Sequence, residues 1–491
     1  VLLLLCVGLP KIGQGDFNVD TGAYSAYALQ AFRAAAAGDA GWLWTLRGVG
    51  GDPLTGEVGG GVPGGGTFYF NKPPLAFWVH GALLYAAGPS LWAARLPSLL
   101  AAALTVVATM GLVRAAGGRR LALLTGFVLA LTPEFFRYAR AFSLDLWLTL
   151  FLVLSLWGVV VAVRACDYGR GRVGAGWFVL AGCALGGGLL VKPFVALVGV
   201  GLVVVWLVAT RRAMAAAMAP LVLLGALVVA GPWHVSMWWL HGEAFTGQYF
   251  GNQVVERAKG NLSDNPGAGQ PWYYLRVMAE SHWPWLPVLG VGVWAWWRGE
   301  GRVAAWRGGT ALAVVWVVGW LVLLSMFADK RPRYVVVAQP CAAWLCALGL
   351  LHARGVLGAA AGRALGVGAR VLERWGLPIA AVVGVAVAAS PLRVHKGPPP
   401  EWADAIELLR SAGRGNVWEA GAPPMASARV YLALGWWPRP SVGYDQRPIA
   451  EPPAGALLLH QPGGKWGPPG EPAGEEVYRR GEVLLVRRAG P

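Results

Sequence analysis

The sequence predicts an all-α protein that crosses a membrane many times, followed by a small mixed α/β domain. Three observations carry that prediction. Hydrophobic residues make up 56% of the 491 and charged residues only 13%, with a mean hydropathy of +0.51, a balance that soluble domains of this length do not show. The apolar residues collect in runs of the roughly 17 to 25 that a bilayer core requires. The basic residues collect in short loops at alternate ends of those runs, as cytoplasmic loops do.

Cutting the chain at its polar interruptions gives about eleven spans, at 1–12, 91–113, 120–135, 144–163, 174–191, 193–210, 213–233, 282–298, 308–327, 334–353 and 377–391. With the first running from inside to outside, every short inner loop is basic. These loops carry Arg114, Arg119 and Arg120; Arg164, Arg170 and Arg172; Arg211 and Arg212; Arg298, Arg302 and Arg307; and Arg354, Arg363, Arg370 and Arg374. The stretch 73–88 tests the register. Counting its 16 residues as a span would invert everything after it and throw most of these arginines outside. It is therefore expected to lie on the outer face as an interfacial or re-entrant helix.

A membrane body over 1–391 thus carries a first outer loop at 13–90 and a second large outer loop at 238–281. The first contains a helix-like stretch at 21–37 and a Gly-rich excursion at 48–66, whose glycines suit a lid or close approach to a ligand. Residues 392–491 are richer in Pro and Gly. One amphipathic stretch at 402–410 and strand-like runs at 456–460 and 482–488 predict a small extracytoplasmic domain there. No repeat of 20 to 50 residues is present, which argues against a repeat-built transporter.

The net charge of +16 follows from arginine-rich inner loops and a membrane partner, so no nucleic acid is needed to explain it. The five cysteines (Cys6, Cys166, Cys183, Cys341 and Cys346) fall in spans or an inner loop, at no disulfide or zinc spacing. Residues 1–10 lack the charged start of a signal peptide and are read as part of a span.

The informative polar residues sit at outer ends of the spans. An ionisable group at membrane depth costs about 2.5 to 3.5 kcal/mol on insertion scales, so a convergent set is read first as a functional site. Asp16 and Asp20 follow the first span, and Asp20 and Tyr24 share a helical face, being four apart. Asp20 suits either a cap for the helix at Thr21 or a catalytic carboxylate. Lys72 precedes a helix opened by Pro73 and Pro74, a terminus that already favours an anion; it is either a phosphate ligand or a lysine snorkelling into headgroups. Asp145 reads as an N-terminal helix charge, an ion-pair partner of Arg140 or a functional carboxylate. Lys192 lies in a tight outer turn with no other polar residue adjacent, which asks for an anionic ligand.

The sharpest signal is Lys330-Arg331-Pro332-Arg333-Tyr334, three cations at an outer end against the inside bias. Arginine forks suit bidentate phosphate recognition, and Tyr334 adds a hydroxyl. In the second large loop, Glu243 and Arg257 add an acid and a further phosphate contact. His234, His241 and His282 are at no metal-ligand spacing and read as interfacial histidines.

In this order the motifs resemble a known family. Asp20-Thr21-Gly22-Ala23-Tyr24, Phe70-Asn71-Lys72-Pro73-Pro74-Leu75, Ala94-Arg95-Leu96-Pro97-Ser98, Arg137 to Asp145, Leu190-Val191-Lys192-Pro193, Pro232-Trp233, His241-Gly242-Glu243-Ala244-Phe245 and Lys330-Arg331-Pro332-Arg333-Tyr334 are similar to the bacterial aminoarabinose transferase and protein O-mannosyltransferase superfamily. These are membrane glycosyltransferases of the GT-C fold. The resemblance covers roughly residues 1–350 and is specific for the superfamily rather than for a substrate.

The resemblance implies transfer of a sugar from a polyisoprenyl-phosphate donor to an extracytoplasmic lipid, protein or glycan, with inversion at the anomeric carbon, at the inner (plasma) membrane. It places the catalytic carboxylate at Asp20 and a second outer-loop carboxylate at Asp145. The family often has Asp-Glu where this chain has Asp20-Thr21, which leaves Asp16 as a substitute acid. Lys72, Arg140, Lys192, Arg257, Lys330, Arg331, Arg333 and Tyr334 become the donor-phosphate set, with Asp16, Tyr24 and Glu243 as further substrate contacts. A divalent cation held by Asp20 and Asp145 is compatible with the sequence, which does not require one. The competing class is a transporter or flippase of an anionic lipid or solute, which also needs a ring of cations.

Overall fold

The computed structural model describes residues 1–13, 19–46, 69–256, 270–298, 307–327, 330–356, 400–419, 439–440, 451–460, 472–480 and 483–488, with single residues at 374, 378, 382, 386 and 430. The expectations for Asp16, Arg257, the Gly-rich stretch 48–66 and most of the span 377–391 fall outside these residues, as does the side chain of Asp20. The chain divides into two compact units. One comprises Val1–Pro10, Asn71–Pro73 and Ser98–Ser390; the other comprises Lys11–Phe70, Pro74–Pro97 and Pro391–Pro491.

The chain begins with α1 (Leu2–Gly8), α2 (Val19–Ala36), α3 (Gly41–Trp44), α4 (Leu75–Ala87) and α5 (Leu91–Gly117). Within the second unit, α4 follows directly on Pro73-Pro74 and runs for 13 residues, about 20 Å at the helical rise and short for a bilayer core. It packs closely on α2. A Cβ at Gly81 would lie 2.6 Å from the Ala28 carbonyl oxygen and 2.7 Å from the Phe32 ring, so only glycine permits that approach. The layer is tied by polar bonds to α3 and to the start of α5. Trp78 Nε1–H donates to the Leu43 carbonyl, buried His80 Nδ1–H donates to the Ala94 carbonyl at 2.9 Å, and fully buried Arg95 donates to the Ile12 carbonyl at 2.8 Å.

The helices of the first unit continue as α6 (Arg119–Ala130), α7 (Pro133–Ala139), α8 (Leu144–Asp167), α9 (Gly171–Leu189), α10 (Pro193–Ala209), α11 (Ala213–Met218) and α12 (Pro220–Thr246). The last of these runs into a π-helical segment, Gly247–Glu256. Then come α13 (Tyr273–His282), α14 (Leu286–Trp297), α15 (Arg307–Met326), a 3-10 segment at Pro332–Ala338, and α16 (Gln339–Val356). Among the described residues, six stretches are long and apolar enough to cross a membrane, and a seventh if α6 and α7, bent by 67°, form one span. The sequence expectation of about eleven also counted α1, which has seven residues, α14, which has twelve, α10, whose seventeen stand at the lower limit for a bilayer core, and 377–391, most of which lies outside the described residues. The bend has a local cause, since Pro133 opens α7 and forces Thr132 out of helical backbone.

The helices approach one another where glycine removes the side chain. A Cβ at Gly182 on α9 would sit 2.1 Å from the Val222 carbonyl oxygen, and one at Gly225 on α12 2.1 Å from that of Val179. The pair Gly292 and Gly349 does the same for α14 and α16, at 2.0 Å and 1.8 Å from opposing carbonyls. Without a hydrophobic drive between helices in lipid, such close backbone contact supplies the packing attraction. Central α8 is buried along nearly its whole length and starts at Ser143, whose hydroxyl accepts from the Leu146 N–H.

The C-terminal segment holds α17 (Pro400–Ala412) and strands β1 (Val417–Glu419), β2 (Arg439–Pro440), β3 (Leu457–His460), β4 (Glu475–Arg480) and β5 (Val483–Arg487). The sheet order is β2-β1-β3-β5-β4. Strands β2, β1 and β3 are parallel, while β3, β5 and β4 pair antiparallel. Alternation sends Leu457, Leu459, Val483 and Leu485 to the face covered by Trp402, Ala405 and Leu409 of α17, and Leu458, Leu484 and Val486 to the other. The expected helix and two strand runs are present; β1, β2 and β4 were not read from the sequence, being short or dominated by charged residues.

Candidate active site

Two helix starts bring the candidate cluster together. Asp145 stands in the first turn of α8, and Lys192 occupies the cap of α10, held extended by Pro193 at the first helical position. Lys192 Nζ donates to Asp145 Oδ1 at 2.6 Å, with both residues buried. Arg333, in the 3-10 segment after the basic run, places Nε 3.8 Å from Asp145 Oδ2. Tyr334 completes the group: its ring lies 5.1 Å from Lys192 Nζ and 5.9 Å from the Arg333 guanidinium, within range of cation–π attraction. Among the described residues one carboxylate therefore orients two cations, a donor set suited to an anionic ligand.

Several sequence expectations change here. Lys192 has a partner, because α8 and α10 bring a carboxylate 47 positions away within hydrogen-bond distance. Asp145 does not pair with Arg140. That guanidinium, at 1% exposure, donates instead to the Pro10 carbonyl at 3.0 Å, so Arg140 ties down the chain leaving α1 and the structure gives no support to its assignment as a phosphate ligand. The divalent cation considered at Asp20 and Asp145 lies in part outside the described residues, because the Asp20 side chain does. The Asp145 oxygens face two cationic side chains, and among the described residues no group of three or more His, Cys, Asp or Glu is placed to hold a metal.

Lys330 is buried and Arg331 half-buried; the Arg331 backbone N–H donates to the Tyr274 hydroxyl at 3.2 Å. Lys72 is half-buried and belongs to the same unit as Asp145, Lys192 and Arg333. Tyr24, in the other unit, packs edge-on against Phe77 at 5.4 Å, a packing contact. Glu243 is exposed, one residue past Gly242, whose φ of 48° and ψ of −122° break α12. Among the described residues Glu243 makes no hydrogen bond or ion pair with Asp145, Lys192 or Arg333.

Tyr274 and Tyr249 were missed, and His234, read as an interfacial histidine, pairs with Tyr249. His234 Nδ1–H donates to the Ala230 carbonyl at 2.8 Å, which leaves Nε2 to accept from the Tyr249 hydroxyl at 2.6 Å. Trp233, Phe245 and Phe194 surround Tyr249, so the π-helical segment is pinned to α12 close to the start of α10. The aromatic spacing along 233–250 was the only available signal, and it reads equally well as a membrane-interface belt.

Comparison with known proteins gives the family and the fold that the chain resembles. Residues 71–238 match the family of dolichyl-phosphate-mannose-protein mannosyltransferases. The chain is 28% identical over 287 residues to the undecaprenyl phosphate-alpha-4-amino-4-deoxy-L-arabinose arabinosyl transferase of Edwardsiella ictaluri, covering 58% of this chain and 50% of that one. For the Erwinia tasmaniensis enzyme of the same name the identity is 27% over 293 residues, covering 59% and 51%. The chain thus spans about half the length of the curated relatives it matches. Its fold is that of ArnT from Cupriavidus metallidurans, solved bound to undecaprenyl phosphate, with a TM-score of 0.70 at 19% identity over 100% of this chain and 97% of that one. The archaeal oligosaccharyltransferase AglB from Archaeoglobus fulgidus is more distant, with a TM-score of 0.53 at 12% identity over 91% and 64%. The ordered motifs, the matched family and the fold agree in making the chain similar to the aminoarabinose transferase and protein O-mannosyltransferase-like superfamily of the GT-C fold.

Proposed function

We propose that the protein transfers a sugar from a polyisoprenyl-phosphate donor to an acceptor hydroxyl or amine of a lipid, protein or glycan on the extracytoplasmic face of the inner membrane. The observation that carries this reading is the buried Lys192–Asp145 pair with Arg333 beside it. Asp145 holds both cations in place before any ligand arrives, and such preorganised charge is what a departing phosphate needs.

In the step itself, the acceptor oxygen or nitrogen forms a bond to the anomeric carbon from the side opposite the phosphate. The bond from that carbon to the phosphate oxygen breaks, its electron pair stays on the phosphate, and the configuration inverts. The acceptor's proton passes to a carboxylate, assigned to Asp20 by its position in the family motif and by the need for a base at the nucleophile. Lys72, Lys192, Lys330, Arg331 and Arg333 receive the phosphate charge, with Arg257 and Tyr334 as further contacts. Asp145 acts through Lys192 and Arg333 as a positioning residue. The arginine-rich short loops support an outer position for the starts of α8 and α10.

Transfer assays with purified protein in lipid and a set of polyprenyl-phosphate sugars test the reading. Glycosylated acceptor of inverted configuration, with free polyprenyl phosphate released in equal amount, supports it. Movement of intact donor across the bilayer without cleavage identifies a flippase instead.

A further inference from the structure

The basic run leads into a helical segment of unusual form. Residues Pro332–Ala338 wind as a 3-10 helix for seven residues, although poorer hydrogen-bond geometry ordinarily limits that form to about three or four. The sequence supplies a reason at both ends. Pro332 opens the segment. Pro340 is the second residue of α16, where it has no N–H to offer the Val336 carbonyl four positions back and its ring crowds that oxygen. The Val336 carbonyl accepts from the Gln339 N–H instead. In the same 3-10 register the Val337 carbonyl would also turn to Pro340, and it is the buried Trp316 indole of α15 that donates to it, at 2.9 Å.

The form sets how far the basic run reaches. Seven residues of 3-10 helix extend about 3 Å further from α16 than the same residues in an α-helix. At that extension Arg333 Nε stands 3.8 Å from Asp145 Oδ2 and the Tyr334 ring 5.1 Å from Lys192 Nζ. The tip is held from outside the segment. Arg331 is extended, at φ −130° and ψ 137°, and its carbonyl accepts from the Tyr334 N–H at 3.1 Å, closing the first turn. The Arg331 N–H, which has no partner within the helix it caps, donates to the Tyr274 hydroxyl at 3.2 Å. Tyr274 is fully buried in the first turn of α13, edge-on to the Tyr273 ring at 5.0 Å, so its hydroxyl comes from a fixed support. All of these residues belong to the first unit.

We propose that Tyr274 is a positioning residue for the donor phosphate and acts through Arg333. Its hydroxyl keeps the basic run extended, so that the Arg333 guanidinium stands beside Asp145 before the ligand arrives. Without that bond the run draws back toward α16, the competent arrangement becomes a fraction of the population, and the apparent affinity for a polyprenyl phosphate falls by that fraction. Tyr274 itself touches neither phosphate nor sugar, and its role rests on the reading of this cluster as the donor-phosphate site.

The test is titration of undecaprenyl phosphate into the full chain in detergent, for wild type, Tyr274→Phe, Arg333→Gln and the double variant, with an unfolding curve for each. Tyr274→Phe removes one oxygen and leaves the ring in place. It is expected to raise Kd about 3- to 10-fold, the worth of one hydrogen bond that the ligand must now replace. In the Arg333→Gln background the same substitution should change Kd less than about 2-fold, since the residue it acts through is gone. A role confined to folding would lower Tm and leave the Kd of Tyr274→Phe at the wild-type value. That result, or an equal change of Kd in both backgrounds, would overturn the proposal. Sugar transfer, measured separately, keeps the two questions apart. Wild type that binds undecaprenyl phosphate and transfers no sugar would sink the glycosyltransferase reading, while the four Kd values still decide the role of Tyr274. No binding of undecaprenyl phosphate by wild type would overturn both.

Discussion

Lys192 Nζ and Asp145 Oδ1 meet at 2.6 Å in the interior, joining the first turns of two helices that start 49 positions apart. A buried pair of this kind contributes little net stability relative to apolar residues, yet removing one partner strands a charge at a cost of about 3 to 5 kcal/mol. Asp145→Ala is therefore expected to lower thermal stability by that order. Adding Lys192→Met should recover most of the loss while transfer stays impaired. Unfolding curves in detergent for both single variants and the double variant measure the coupling.

Arg140 gives a prediction that separates its two readings. Its guanidinium donates to the Pro10 carbonyl from a fully buried position, so Arg140→Met leaves that carbonyl unsatisfied and is expected to destabilise the protein by about 1 to 3 kcal/mol. The folded fraction should keep the wild-type KM for donor. A KM raised several-fold with stability unchanged would return Arg140 to the donor-phosphate set.

At Gly225 an added Cβ would lie 2.1 Å from the Val179 carbonyl oxygen, and backbone cannot give way as a flexible side chain does. Gly225→Val is expected to cost at least about 1 to 3 kcal/mol as α9 and α12 are forced apart. Gly201→Ala is the control, because nothing lies within 4 Å of its Cβ position. Tm of the two variants, measured side by side, should differ by several degrees.

His80, in the short helix α4, is fully buried, and burial pulls its pKa down from 6.5 to about 3. Its folded-state pKa lies below the unfolded value, so protonation favours the unfolded chain. The stability contribution is complete above pH 6.5 and is lost as pH falls from 6.5 toward 3, by up to about 1.4 kcal/mol per pH unit. Replacing His80 by Gln, whose amide keeps a donor for the Ala94 carbonyl, should flatten the decline of Tm between pH 6.5 and 4.5.

The membrane class was legible because composition and run length report burial in lipid directly. The bend between α6 and α7 was not read, because 120–135 counts as one span by composition although Pro133 stands inside it. Other features had no local signal. Asp145 and Arg140 are five residues apart and looked like partners, but the start of α8 presents Asp145 to Lys192 and Arg333, while Arg140 reaches a carbonyl 130 positions earlier. Tyr274 binds the backbone of Arg331 across 57 positions, a contact that only helix packing creates. The span at 282–298 was overestimated because a turn at 283–285 precedes α14, and apolar composition does not report that break.

The most direct test of the proposed chemistry is transfer from a polyprenyl-phosphate sugar by purified wild type and by Asp20→Asn, each checked for folding by its unfolding curve and for donor binding by titration. The account predicts that Asp20→Asn binds donor as wild type does and loses at least about 100-fold in kcat, the usual range for a missing general base. Equal turnover by the two proteins would contradict it and remove Asp20 from the reaction.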